Sequence, residues 1–183
     1  MKKFILAAIA VFSSLCASAQ AYVGGTFGLD RKFDSNQTEF SILPEVGYNF
    51  NDKWAAGITL GYQHKYNKGL STNVGIVEPY ARWTYYRSGN NLVNLFVDGG
   101  VGFGFGNSKA KGIDEHTKTV LLWNIGFKPG IAFNVTEKFT VLAHIGFLGY
   151  NGVNHAAERA GYESSWGLNF SSLDLNVGFY YNF

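Results

Sequence analysis

Apolar and polar positions alternate along most of this chain. Leu173, Leu175, Val177, Phe179, Tyr181 and Phe183 interleave with Asp174, Asn176, Gly178, Tyr180 and Asn182. A period of two sends successive side chains to opposite faces of a strand. One face of this segment is therefore wholly apolar and the other polar or small. Comparable segments bounded by turn residues predict eight strands, over 21–32, 38–50, 54–66, 72–86, 92–106, 118–134, 139–150 and 167–183. Asn51-Asp52-Lys53, Arg87-Ser88-Gly89-Asn90-Asn91 and Val135-Thr136-Glu137-Lys138 are short connections. The alternate connections, near 33–37, 67–71, 107–117 and 151–166, include the two longest and most polar. Short turns on one rim and longer loops on the other predict an all-β, eight-stranded antiparallel up-and-down barrel, with both ends of the strand array at the short-turn rim.

Side-chain volume decides which face is inside. In the fifth segment Val93, Leu95, Val97, Val101, Phe103 and Phe105 oppose Asn94, Asp98, Gly100, Gly102, Gly104 and Gly106. In the sixth, Leu121, Trp123, Ile125, Phe127, Ile131 and Phe133 oppose Asn124, Gly126, Lys128, Gly130 and Asn134. An eight-stranded barrel has an interior just wide enough for side chains to fill. The small and polar set must face in and the bulky set out. A soluble lipocalin-like barrel would then expose an apolar surface beyond what soluble monomers tolerate. Lipid removes that conflict, and hydrocarbon in turn demands closure, because an open edge would leave backbone groups unpaired. The expected fold is a transmembrane barrel. Aromatic residues fall where interfacial girdles belong: Tyr48, Phe50, Trp54, Trp83, Tyr85, Phe133, Phe139, Tyr181 and Phe183 near the short-turn rim. Tyr62, Tyr66, Phe105, Trp123 and Phe147 approach the other rim.

Two features resist the simple pattern. The seventh segment has a mixed inner face, with Leu142 and Leu148 beside Thr140, His144 and Gly146. Pro44, Pro79 and Pro129 each remove a ladder hydrogen bond inside a strand, so local bulges are expected there.

Composition changes the picture little. Aromatics at 17% and 23 glycines favour an all-β chain. Lys2 and Lys3, the apolar run Phe4 to Phe12 and the small-x-small Ala17-Ser18-Ala19 predict a signal peptide over 1–19, with the barrel domain over 20–183. Cys16, the single cysteine, would leave with it; the preceding Ser13-Ser14-Leu15 does not form a lipoprotein box. Without Lys2 and Lys3, 13 of the 15 basic residues stand against 13 acidic ones, so no basic surface points to nucleic acid.

The predicted interior carries Glu45, Lys65, Glu78, Arg82, Asp98, Lys128 and Asp174. Buried charges must be paired and hydrogen-bonded, which predicts a salt-bridged network that plugs the lumen; a narrow path for protons or small solutes is the alternative. His64, His116, His144 and His155 are the conventional acid/base candidates. His64 lies a short distance along from Ser71 and Thr72, near the rim where lipid-modifying barrel enzymes place a His/Ser pair. No supporting acid completes that arrangement, so no catalytic residue is assigned. His155-x-x-Glu158 has half of a metal motif and reads as solvated loop; neither metal nor cofactor is expected. The segment 151–166 reads as a protruding hairpin tip available to partners.

Pro44-Glu45-Val46-Gly47-Tyr48, Glu78-Pro79-Tyr80-Ala81-Arg82, Lys128-Pro129-Gly130 and the closing Tyr180-Tyr181-Asn182-Phe183 together resemble the small outer-membrane β-barrel domain family of Gram-negative bacteria, related in architecture to the OmpA transmembrane domain and OmpX. The resemblance implies an outer-membrane location. It also implies that Phe179, Tyr181 and Phe183 form the assembly signal read by the barrel-assembly machinery after escort by periplasmic chaperones. The family contains many members without a known activity, and the peptidoglycan-binding domain of full-length OmpA-type proteins has no counterpart here, so cell-wall tethering is not expected. The expected role is structural or surface-interactive, as a monomer in outer-membrane lipid. A small channel or route for small or apolar solutes comes second, and a lipid-modifying enzyme third.

Overall fold

The computed structural model describes residues 20–32, 37–67, 69–110, 118–169 and 175–183. The proposed signal segment, His116 and Asp174 lie outside the described residues. Among the described residues ten strands form one antiparallel sheet: β1 (Ala21–Lys32), β2 (Gln37–Asn49), β3 (Trp54–Asn67), β4 (Leu70–Arg87), β5 (Val93–Ala110), β6 (Lys118–Asn134), β7 (Phe139–Ile145), β8 (Phe147–Val153), β9 (Ser165–Asn169) and β10 (Leu175–Asn182). A short helix, α1 (His155–Arg159), follows β8. Each strand from β1 to β6 pairs with the next. β6 then pairs with β7 near the short-turn rim and with β8 farther along. β8 pairs with β9 and β7 with β10, and β10 returns to β1 from Tyr22↔Asn182 to Thr26↔Gly178. The sheet closes as an eight-position barrel whose seventh and eighth positions each hold two strands.

That division corrects the single segments 139–150 and 167–183. Between Gly130↔His144 and Phe127↔Leu148, β6 advances three residues while the seventh position advances four. The extra residue is Gly146, at φ 137°, a conformation L side chains rarely adopt. A bulge of one residue reverses the facing of everything beyond it. Leu142 is fully buried and points inward, whereas Leu148, of the same parity, is exposed outside. Phe147 turns inward and lines the lumen, contrary to its expected place in the outer aromatic set.

The proline expectation is corrected as well. Register runs unshifted through Pro44, through Pro79, and through Pro129 on the β5 side. The sheet absorbs the missing donors without a bulge at the prolines themselves. One shift lies at Thr84/Tyr86 and the other in the seventh position, opposite Lys128-Pro129.

Facing otherwise follows volume. Phe103, Phe105, Leu121, Trp123, Ile125, Phe127, Val177 and Phe179 are exposed on the outer surface. Inside, Tyr22, Ala55, Phe96, Ala132, Leu142 and Tyr180 form one buried cluster toward the short-turn rim. Val74, Val120 and Ala157 form a second toward the other rim.

Candidate lumen site

Period two on β4 puts Glu78, Tyr80 and Arg82 on one inward row. Neighbouring strands bring Glu45, Asp98, Lys128, His144, Tyr22 and Tyr180 to the same interior. Arg82 and Asp98 are direct cross-strand partners. The guanidinium donates from Nε to Asp98 Oδ1 and from Nη2 to Oδ2, both at 2.7 Å. This bidentate geometry matches the planar fork of arginine to a carboxylate. His144 Nε2 lies 2.8 Å from Asp98 Oδ2. Arg82 Nη2 also donates to the Tyr180 hydroxyl at 2.9 Å, and its guanidinium lies 4.1 Å from the Phe96 ring centroid. Lys128 reaches past its cross-strand neighbour Asp98 to pair with Glu78.

Glu45 has a different environment. Its Oε2 accepts from the Tyr80 hydroxyl at 2.9 Å and from the Tyr180 hydroxyl, and Tyr80 is hydrogen-bonded to Tyr22 across 2.8 Å. The Tyr22 ring packs 4.9 Å from that of Tyr180. Gly47 makes the arrangement possible, because a Cβ there would lie 2.2 Å from the Tyr22 ring and hydroxyl. Tyr22, Tyr180 and Phe96 are each at most 3% exposed, so aromatic rings and paired charges pack closely together at this level.

Two cavities border this layer. Beyond it lies a cavity of about 260 Å³ bordered by Glu45, Glu78, Asp98, Asn124, Lys128 and His144. Toward the short-turn rim lies a vestibule of about 530 Å³ bordered by Tyr22, Arg82, Asn94, Phe96 and Tyr180. No residue borders both. A third cavity, about 240 Å³, shares Asn124 and Asn151 with the first and extends to Tyr162 and Glu163.

The segment 151–166 does not form the expected protruding hairpin tip. Asn154 caps α1 by accepting from the Ala157 amide at 3.0 Å. The helix turns Ala157, which is fully buried, onto Val74 and Val120, with Ile76, Leu122, Val153 and Tyr162 around it. Lys65, on the inward face of β3, donates to the Gly161 carbonyl at 2.7 Å and lies 4.2 Å from the Tyr162 ring centroid. Burial, followed by the Glu39 carboxylate, pushes the Tyr162 phenol above its ordinary pKa. The connection caps the long-loop mouth with apolar contacts.

Of the expected interior charges, Glu45, Glu78, Arg82, Asp98 and Lys128 come together, while Lys65 serves the mouth. His155 is exposed and lies 2.8 Å from Glu158 on α1. His64 Nδ1 lies 2.7 Å from Asn73 Oδ1, on the outer surface with Tyr62 rather than against Ser71. Among the described residues no three His, Asp or Glu side chains are arranged to hold a metal. Sequence reasoning did not select Tyr22, Tyr80, Tyr180 and Phe96 as site residues, and it named His144 as an inward acid/base candidate without placing it in the charge network. The available signal was their parity, since each falls in phase with polar or small inward positions of its strand, as Tyr80 does with Glu78 and Arg82. Phe50, Trp54, Trp83, Tyr85, Phe133, Phe139, Tyr181 and Phe183 are exposed on the outer surface, and Tyr48 is half-buried. Trp54 and Trp83 are cross-strand partners with rings stacked 6.2 Å apart.

No match was found among the curated proteins. Among solved structures, the neisserial surface protein A is similar at a TM-score of 0.54 and 13% identity, over 91% of this chain and 98% of that one. The outer membrane protein Ail of Yersinia pestis is similar at a TM-score of 0.45 and 17% identity, over 91% of this chain and 100% of that one. Residues 4–183 match the family described as the outer membrane protein beta-barrel domain. With a closed antiparallel barrel, an apolar exterior and that match over nearly its whole length, the chain belongs to the outer-membrane β-barrel domain family.

Proposed function

We propose that the protein is a monomeric outer-membrane barrel with a structural and surface-interactive role, its lumen closed to solutes by side chains. The carrying observation is the layer of Arg82, Asp98, Glu45 and the three tyrosines, with separate cavities on its two sides. A hydrated ion crossing that layer would have to shed water and displace a bidentate ion pair, both costly in a low-dielectric interior. In this reading the rings at Tyr48, Phe50, Trp54, Trp83, Tyr85, Phe133, Phe139, Tyr181 and Phe183 sit at the periplasmic lipid interface. Phe179, Tyr181 and Phe183 present the assembly signal to the barrel-assembly machinery after delivery by periplasmic chaperones, and residues 1–19 are removed on export. The protein carries out no catalytic step. Among the described residues the polar group around His64 consists of Asn73 and Tyr62, an amide and a phenol rather than the base-activated serine hydroxyl that lipid hydrolysis uses.

Planar-bilayer recording with the purified barrel tests the reading. No steady conductance in potassium chloride is expected, and sustained single-channel steps would refute a closed lumen.

A further inference from the structure

Three observations on the interior combine. First, the dividing layer is a hydrogen-bonded chain with one end on each side. Tyr22 and Tyr180 border the vestibule, while Glu45 and Tyr80 border the opposite cavity. Tyr180 reaches Glu45 Oε2 directly; Tyr22 reaches it through Tyr80, over 2.8 and 2.9 Å. Both branches converge on one carboxylate.

Second, the cavities carry polar atoms that no protein group satisfies. Asn94 borders the vestibule, Asn124 both cavities beyond the layer, and Tyr162 the outermost one; the Asn94 Oδ1, Asn124 Oδ1 and Tyr162 hydroxyl are buried without a hydrogen-bond partner among the described residues. Buried polar atoms in roomy polar cavities are where ordered water sits, and one water needs only about 15 Å³. Each cavity therefore has both the polar partners and the room for water.

Third, the charges around the convergence point are unequal. Glu78 is paired with Lys128 and Asp98 with Arg82, whereas Glu45 is held by two neutral hydroxyls. His144 meets Asp98 rather than Glu45. The layer thus holds two carboxylates and one guanidinium, a balance that favours a positive charge in transit and opposes an anion.

We propose that the lumen passes protons while excluding other ions, with Glu45 as the obligatory relay. A hydronium in the vestibule gives its proton to the Tyr22 oxygen as the Tyr22 proton passes to Tyr80 and the Tyr80 proton to Glu45 Oε2. The glutamic acid so formed turns its carboxyl group about the Cγ–Cδ bond, carrying the Oε2 proton to face the cavity beyond; it releases that proton to water there, and the carboxylate and the hydroxyls turn back to their starting orientations. One proton enters, one leaves, and no covalent bond other than O–H changes. The Tyr180 branch does the same in one hop. Rings and ion pairs leave no opening for a hydrated ion at this level, so relay along hydroxyls is the route the geometry provides.

The inference rests on the closed-lumen reading, and the test separates the two. The purified barrel is reconstituted into liposomes containing a trapped pH-sensitive dye, with a potassium gradient and valinomycin to set the potential; ionic conductance is recorded on the same preparation. Proton entry above that of protein-free liposomes, without ionic conductance, is expected. Glu45→Gln should bring proton entry back to the protein-free level. Tyr80→Phe and Tyr180→Phe should each reduce it in part, and the double variant should abolish it. Heat-dependent gel mobility confirms that each variant is folded, and the tyrosine double variant carries the test if Glu45→Gln does not fold. Ionic conductance accompanying the proton flux would overturn the closed lumen and the relay together. Absence of flux through a folded, non-conducting barrel would overturn the relay alone, as would undiminished flux in Glu45→Gln or in the double variant.

Discussion

At the scale of single residues, the interior of this barrel is governed by the cost of unpaired charge. Arg82 and Asp98 are buried, bidentate and in register. Removing one member of a buried pair leaves an uncompensated charge and is destabilising by about 3–5 kcal/mol, whereas replacing both by apolar groups is often near neutral. Arg82→Met should therefore lower the urea midpoint of unfolding in phospholipid vesicles substantially, and adding Asp98→Leu should restore much of the loss. If the double variant is no more stable than the single one, the pair is not the source of the effect. Alternation made Glu45, Glu78, Arg82, Asp98 and Lys128 legible as inward residues. It did not reveal their partners, because partner choice depends on reach across the lumen. Lys128 stands opposite Asp98 in the ladder yet joins Glu78 two strands away, and nothing in a period of two encodes that choice. The tyrosines were obscured for a related reason. An aromatic on a small-residue face disturbs the apolar-out pattern, although its hydroxyl suits it to a polar interior.

At the scale of elements, the strands through β6 were legible within a few residues because long alternating runs carry their own phase. The seventh position was not, because one inserted glycine resets the phase without altering composition. The mixed face that Leu142 and Leu148 seemed to form was the trace of that reset: one is inside and the other outside. Helix α1 was hidden because its five residues are too few to display a helical period, and its burial depends on Val74 and Val120 from distant strands. The bulge gives a direct prediction. Gly146 occupies φ 137°, and forcing a side-chain-bearing residue into a sparsely populated region costs about 1–3 kcal/mol. Gly146→Val should lower the unfolding midpoint accordingly. Gly75→Ala, where the nearest atom to an added Cβ is 3.7 Å away on an exposed strand, should change it little. Equal effects from both substitutions would mean that the backbone at Gly146 is not constrained.

At the scale of the whole molecule, the architecture follows from a choice of solvent. Residues such as Phe105, Ile125, Phe127 and Phe179 cover the outside, while the interior carries paired charges, tyrosines and glycines. In water this would be an inverted protein; in hydrocarbon both faces are satisfied, and closure through β10 and β1 supplies the missing edge partners. This level was the most legible in the sequence, because volume and polarity on two faces are properties of composition and phase alone. It also makes the surface testable by charge. Phe127 lies near the middle of β6 and is 55% exposed. On the lipid face of such a barrel, arginine near the bilayer midplane costs about 2–4 kcal/mol, and the cost falls toward the interfaces. Phe127→Arg should therefore destabilise the barrel by that amount in reversible unfolding from phospholipid vesicles. Phe133→Arg, toward the short-turn end of the same strand and likewise exposed, should cost less. Equal or negligible penalties at the two positions would place the outer face of β6 in water and remove the physical basis for an outward apolar surface.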